Sequence, residues 1–171
     1  MKETTSSLRR FVEIAANIAI VVVAVVIVVN FVWPRVRPKQ DIITPSIGST
    51  VSLSGVNWKE NRTTLLMVLQ KGCRYCEESV PFYRKLYDQR TGTQPRILAV
   101  IPGEHGDTDR YLCDQGVLTD GIINVSLDDV KVSATPTLLL VDQSGHLKSV
   151  WIGKLDENRQ KEVMQRAFDV H

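Results

Sequence analysis

The sequence predicts an α/β sandwich with a mixed central sheet, preceded by a single N-terminal transmembrane helix. Three observations predict it. Short apolar runs alternate with helix-period segments and close in a hairpin, the pattern of a layered α/β domain. Ile14 to Trp33 is a run of twenty uncharged residues. The folded remainder, roughly 125 residues, suits one domain with one core and leaves no room for a second.

In chain order, the uncharged run comes first. As a helix, its residues span about 30 Å, the hydrocarbon thickness of a bilayer. Asn17 and Asn30 are its polar exceptions, and no polar face exists that would suit a buried core helix. A cleaved signal peptide is the rival, but its apolar region is normally shorter, and no small-x-small site follows Asn30-Phe31-Val32-Trp33-Pro34. The expected organisation is an N-terminal tail at 1–10, a membrane helix at 11–33, a linker at 34–46 and a folded domain at 47–171, the tail being cytoplasmic if the domain carries redox chemistry that suits the far side of the membrane. The linker carries three prolines and four charged residues without an apolar pattern, as an extended tether does. Lys2, Arg9 and Arg10 precede the span and Arg35, Arg37 and Lys39 follow it, so flanking charge gives little bias in orientation.

Within the domain, Val51 to Leu53 and the Trp58 region are expected to form a small β element. Thr64 to Gln70 reads as a buried strand, Cys73 to Arg90 as a helix and Arg96 to Ile101 as a second core strand. Asp107 to Gln115 reads as a helix and Ile122 to Val125 as a short strand. After Pro136 comes a strand, then a turn at Asp142-Gln143-Ser144-Gly145 and a return strand from Leu147 to Trp151. Asp156 to Val170 closes the chain as a helix, with Val163, Met164, Ala167 and Phe168 toward the sheet. Lysine and arginine number 21 against 19 acidic residues, a net charge of +2 with the signs interspersed. No basic stripe suggests a nucleic-acid partner.

Chemistry concentrates at Cys73-Arg74-Tyr75-Cys76. Two thiols three residues apart suit a redox dithiol, an inert disulfide or a pair of metal ligands. Zinc needs two more ligands, and Cys113 and His105, the nearest candidates in sequence, lack the paired spacing of a zinc module. Lys71-Gly72 turns the chain from the Leu65 to Leu69 run into the pair, and Cys76, Val80, Tyr83, Leu86, Tyr87 and Arg90 continue at helical spacing. Cys73 therefore falls at an exposed helix N-terminus, where unpaired N–H groups favour a thiolate, and Cys76 falls on the inward side. On this reading Cys73 is the nucleophile and Cys76 the resolving thiol. Arg74 either tunes Cys73 toward the thiolate or is a solvated side chain. Glu77 and Glu78 read as water-facing charges of the first turn. Cys113, beside Leu112, reads as a small buried hydrophobe, and His105 as a surface residue on a loop.

Pro81, five residues after Cys76, matches the proline that kinks the first helix of thioredoxin-fold proteins. Ala134-Thr135-Pro136-Thr137-Leu138-Leu139-Leu140-Val141 resembles their cis-proline loop and following strand. From about Ile47 to His171 the chain most closely resembles the membrane-anchored TlpA-like thiol-disulfide oxidoreductases of bacteria. The resemblance implies a thioredoxin-like three-layer sandwich and a cis Pro136 packed against the dithiol. It also implies that Thr135 offers backbone groups to an extended substrate segment. No cofactor or metal is implied. The partners would be a protein dithiol or disulfide substrate and a thiol redox donor or acceptor, met on the extracytoplasmic side of the cell membrane. Cytochrome c maturation is one pathway of this kind.

Three positions depart from the pattern. Met67 stands where many thioredoxins carry a buried carboxylate, and Ser79 where many TlpA-like proteins carry a glutamate. Gly72 replaces the Trp that often precedes the pair. Two other functions share the fold. A peroxiredoxin-like peroxidase would place its cysteine in a Pro-x-x-x-Thr-x-x-Cys context, which Met67 to Gly72 does not supply. A noncatalytic interaction module would not need Cys73, Cys76 and Pro136 together.

Overall fold

The computed structural model describes residues 3–32, 43–60, 62–90, 92 and 94–168. Residues 1–2 of the expected tail, Trp33, positions 34–42 of the expected linker and the terminal 169–171 lie outside the described residues. Contacts divide the chain into two units, Met1–Asp41 and Ile42–His171.

In the first unit, helix α1 covers Glu3–Ile27 and continues as a π-helical turn over Val28–Val32. Glu13–Asn30 is long and apolar enough to cross a membrane, the one such stretch among the described residues, and all its side chains are exposed. Anchors and signal sequences share this length and composition. The Asn30 amide donates to the Val26 carbonyl at 2.8 Å, satisfying a polar group inside the run.

The second unit is built on five strands: β1 Thr63–Val68, β2 Arg96–Val100, β3 Gly121–Ile123, β4 Thr137–Asp142 and β5 Leu147–Ile152. Their order is β3-β2-β1-β4-β5, with β1, β2 and β3 parallel and the β4-β5 hairpin antiparallel. The helices are α2 Arg74–Glu78, α3 Val80–Asp88, α4 His105–Asp114 and α5 Glu157–Phe168. This is the mixed sheet the sequence predicts.

The apolar runs are continuous because both sheet faces are buried. Leu65, Met67, Ile97, Ala99, Leu138 and Leu140 point to one face, beneath Val80, Phe82, Tyr83 and Leu86 of α3 and Val163 and Ala167 of α5. Leu66, Val68, Leu98, Val100, Leu139 and Val141 point to the other, covered by Val51, Leu53, Val130 and Val132. Met164 and Phe168 pack on the rim of the first cluster, as their spacing predicts.

Several local expectations are corrected. The small N-terminal β element reduces to a single bridge, Thr50 to His146, and Trp58–Glu60 is a 3-10 turn. Val51 and Leu53 still face inward, and the last backbone bond of this segment to the hairpin is from the Val51 N–H to the Gly145 carbonyl at 2.8 Å. Trp58 instead lies over Gly145, whose φ is 79° and whose missing Cβ would stand 3.0 Å from the indole. The helix expected from Cys73 to Arg90 is two helices meeting at Ser79. Pro81 has no N–H for the Glu77 carbonyl, and its ring crowds that turn. His105 opens α4 instead of lying on a loop, with its ring nitrogen 2.8 Å from Asn124 Oδ1. Cys113 is exposed, not buried. Leu112 takes the inward position of α4, and one residue further the helix has turned about 100°.

Candidate active site

Strand register gathers the site. Val68, the last residue of β1, pairs with Thr137, the first of β4, and Thr137 pairs with Ile152, the last of β5. Three chain segments therefore meet at one end of the sheet: Cys73-Arg74-Tyr75-Cys76 after β1, Ala134-Thr135-Pro136 before β4, and Gly153-Lys154 after β5.

Gly72, at φ 69°, supplies the left-handed residue of the turn that leads from β1 into the pair. Cys73 and Cys76 form a disulfide with their Cα atoms 5.2 Å apart. Cys73 is the N-cap of α2 and half-buried, whereas Cys76 is 1% exposed within the core cluster. The Cys76 backbone N–H points at both the Cys73 carbonyl, at 3.0 Å, and the Cys73 sulfur, at 3.2 Å. That N–H would stabilise a Cys73 thiolate directly, a local effect that does not need the dipole of a long helix. Since α2 has only five residues, the local bond is the larger contribution.

The Thr135–Pro136 peptide is cis. The Thr135 hydroxyl donates toward the Cys73 sulfur at 3.4 Å, and the Thr135 carbonyl oxygen lies 3.5 Å from the same atom. The Pro136 carbonyl accepts from the Gly153 N–H at 2.7 Å, and the Thr137 hydroxyl donates to the Ala134 carbonyl at 2.8 Å. Thr135, one of the two residues named for substrate contact, thus stands beside the sulfur named as the nucleophile, and Pro136 follows it through the cis bond.

Arg74 does not hang free. Its Nε sits 2.7 Å from Glu78 Oε1, while Lys154 Nζ sits 2.9 Å from Glu78 Oε2. Glu78 is therefore an ion-paired residue of the site, in place of the purely water-facing charge expected. Hydrogen bonds from Lys154 and Arg74 hold its carboxyl below the usual range. The Arg74 to Glu78 spacing of four was visible in the sequence. Lys154 was not, because only the register that aligns Val68, Thr137 and Ile152 brings it there. Lys71 pairs with Asp107 of α4 at 3.2 Å.

Behind Cys76 the two departures are filled by uncharged groups. Met67 is fully buried, and Ser79, 7% exposed, donates its hydroxyl to the Tyr75 carbonyl at 2.7 Å. Tyr83 is also buried, and burial pushes its phenol far above its ordinary range, so it stays protonated and is no base for the thiol. Among the described residues, no cluster of three or more His, Cys, Asp or Glu side chains could hold a metal, so Cys113 and His105 are not gathered with the dithiol.

No protein-family model matches the sequence, and no curated protein matches it. Solved structures do match the fold. A thiol-disulfide isomerase from Corynebacterium glutamicum is 14% identical, covering 78% of this chain and 99% of its own at a TM-score of 0.55. The thioredoxin domain of a thiol-disulfide oxidoreductase from Bacteroides vulgatus is 15% identical, covering 72% and 98% at 0.56. StoA from Bacillus subtilis is 15% identical, covering 70% and 95% at 0.53. The second unit therefore has a thioredoxin-like fold, with the Cys73–Cys76 pair following its central strand and a cis-proline loop against it.

Proposed function

We propose that this chain is a membrane-tethered thiol-disulfide oxidoreductase that exchanges disulfides with protein partners through Cys73 and Cys76. The observation that carries the reading is the asymmetry of the pair. One sulfur is half-exposed, bonded by a backbone N–H and flanked by Thr135; the other is buried one helical turn away. In the reducing direction the Cys73 thiolate attacks a substrate disulfide and forms a mixed disulfide, releasing one substrate sulfur as thiolate. Cys76 then gives up its proton and attacks Cys73, forming the Cys73–Cys76 bond and freeing the second substrate sulfur. The oxidising direction runs the same bonds in reverse. Thr135 and Pro136 present the edge along which an extended substrate segment lies.

The domain partition proposed with this function is a cytoplasmic tail at 1–10, a span at 11–33, a tether at 34–46 and the redox domain at 47–171. The domain faces the extracytoplasmic side, where disulfides persist. A thiol donor or acceptor resets the pair, and apocytochrome cysteines awaiting haem are one substrate class that suits such a reductase.

Insulin reduction by the full-length chain in detergent tests the activity. Turnover by the wild type, lost in Cys73→Ser, is expected; an inactive wild type with both cysteines intact overturns the reading in favour of an interaction module. The direction follows from the potential of the couple. A value near about −270 mV, that of thioredoxin, marks a reductase, and one near about −120 mV, that of DsbA, an oxidase.

A further inference from the structure

We infer that Glu78 is a positioning residue for this dithiol, one carboxylate that cancels the charge beside Cys73 and ties the loop after β5 to the active-site helix, and thereby sets the redox potential of the pair. The inference rests on the oxidoreductase reading above and adds a determinant of its direction.

The geometry is a closed circuit. Glu78 gives one oxygen to Arg74, the residue next to Cys73, and the other to Lys154, 76 positions further along the chain. Lys154 adjoins Gly153, whose N–H holds the Pro136 carbonyl at 2.7 Å. Pro136 adjoins Thr135, whose hydroxyl reaches back to the Cys73 sulfur. Glu78 thus closes a ring of contacts through all three segments around the sulfur. Its side chain is 31% exposed, against 84% for Arg74, so the carboxylate sits lower than the guanidinium that it neutralises. The other charged side chains of the segment are Lys71, already paired with Asp107, and exposed Glu77.

The consequence for the couple follows from charge. Reduction of the protein by glutathione converts one Cys73–Cys76 bond and two glutathione thiols into two protein thiols and one glutathione disulfide. The Cys73 proton then leaves to solvent to the extent that the thiolate is stable. With Glu78 charged, two cations share one anion and the cluster carries a net charge of +1. With Glu78 neutral, Arg74 and Lys154 are uncompensated, the thiolate is stabilised, and so is the reduced protein. A more stable reduced form is a stronger oxidant. Glu78 therefore holds the pair toward the reducing end.

The test equilibrates the full-length chain in detergent with glutathione buffers at fixed pH and reads the reduced fraction by alkylation and mass. Glu78→Gln is expected to shift the equilibrium constant toward the reduced form by about threefold to fivefold, or roughly 15 to 20 mV more positive. Adding Arg74→Gln to that variant removes one of the two stranded cations, returns the cluster to its wild-type net charge of +1 and is expected to bring the constant back within about twofold of wild type. Rescue by this second substitution is a result that loosened packing would not produce. A Glu78→Gln constant within about twofold of wild type overturns the inference, and so does a double variant no closer to wild type than the single one. A wild type that fails to exchange with glutathione at all sinks the oxidoreductase reading instead.

Discussion

Ser79 offers a direct measure of how the active-site turn is held. Its hydroxyl donates to the Tyr75 carbonyl at 2.7 Å, in a position only 7% exposed. That carbonyl lies in a five-residue helix, and the Ser79 N–H, which would serve it in a continuing helix, turns to the Cys76 carbonyl at 3.2 Å. Ser79→Ala keeps the packing and removes the donor. The loss of a net hydrogen bond costs about 1 kcal/mol, and a half-buried carbonyl left short of a partner raises that toward about 2. For a domain of this size, each 1 kcal/mol lowers Tm by roughly 3 to 6 °C. The assay is thermal unfolding of the full-length chain in detergent, followed by the fluorescence of buried Trp151, with the pair oxidised and then reduced. The reduced state should show the larger drop, because the disulfide no longer ties Cys76 to Cys73 across the same turn. A Tm within about 1 °C of wild type in both states refutes the argument that this bond holds the turn.

Other outcomes follow from the same site. Cys76→Ser should trap partners as mixed disulfides through Cys73, seen as thiol-sensitive adducts on non-reducing gels; adducts that form only in Cys73→Ser would reverse the assigned roles. The Glu78 carboxyl is held below its ordinary pKa, so its stabilising contribution is present above the unfolded carboxylate value of about 4.3 and is lost as pH falls through the lower folded value. Glu78→Gln should therefore unfold at a slightly lower temperature than wild type near pH 7 and at the same temperature in strong acid; a gap that survives in acid contradicts this. The uncharged run from Ile14 to Trp33 should keep the full-length chain in the membrane pellet after alkaline carbonate extraction, and release into the supernatant would point to a cleaved signal instead.

The strands were legible because both faces of the sheet are buried. Leu65 to Leu69 and Leu138 to Val141 appear as unbroken apolar runs, and a run of that length between turns has few other fates. The dithiol and the cis-proline loop were legible as tetrapeptide and strand lead-in. Edges and ends were harder. Val51 and Leu53 show the alternation of a strand, but whether such a segment pairs depends on a sheet edge that is out of reach along the sequence. Cys113 and Leu112 are both apolar by composition, and only the phase of α4 against the sheet decides which one turns inward. The Glu78 to Lys154 pair lay beyond reach for the same reason, since it joins side chains that meet only after five strands have chosen their neighbours. The cis Gln94–Pro95 peptide had no signal beyond the proline itself.

The central strand carries one more implication. β1 is hydrogen-bonded on both sides, and its residues from Leu65 to Val68 are wholly shielded from solvent. The dithiol is joined to it by a short turn, so its root belongs to a strand paired on both edges and buried on both faces. In the exchange proposed above, the change between disulfide and dithiol falls on the first helical turn, above a strand shielded on both faces. A mount buried on both faces keeps the structural adjustment accompanying each electron pair of the proposed exchange small.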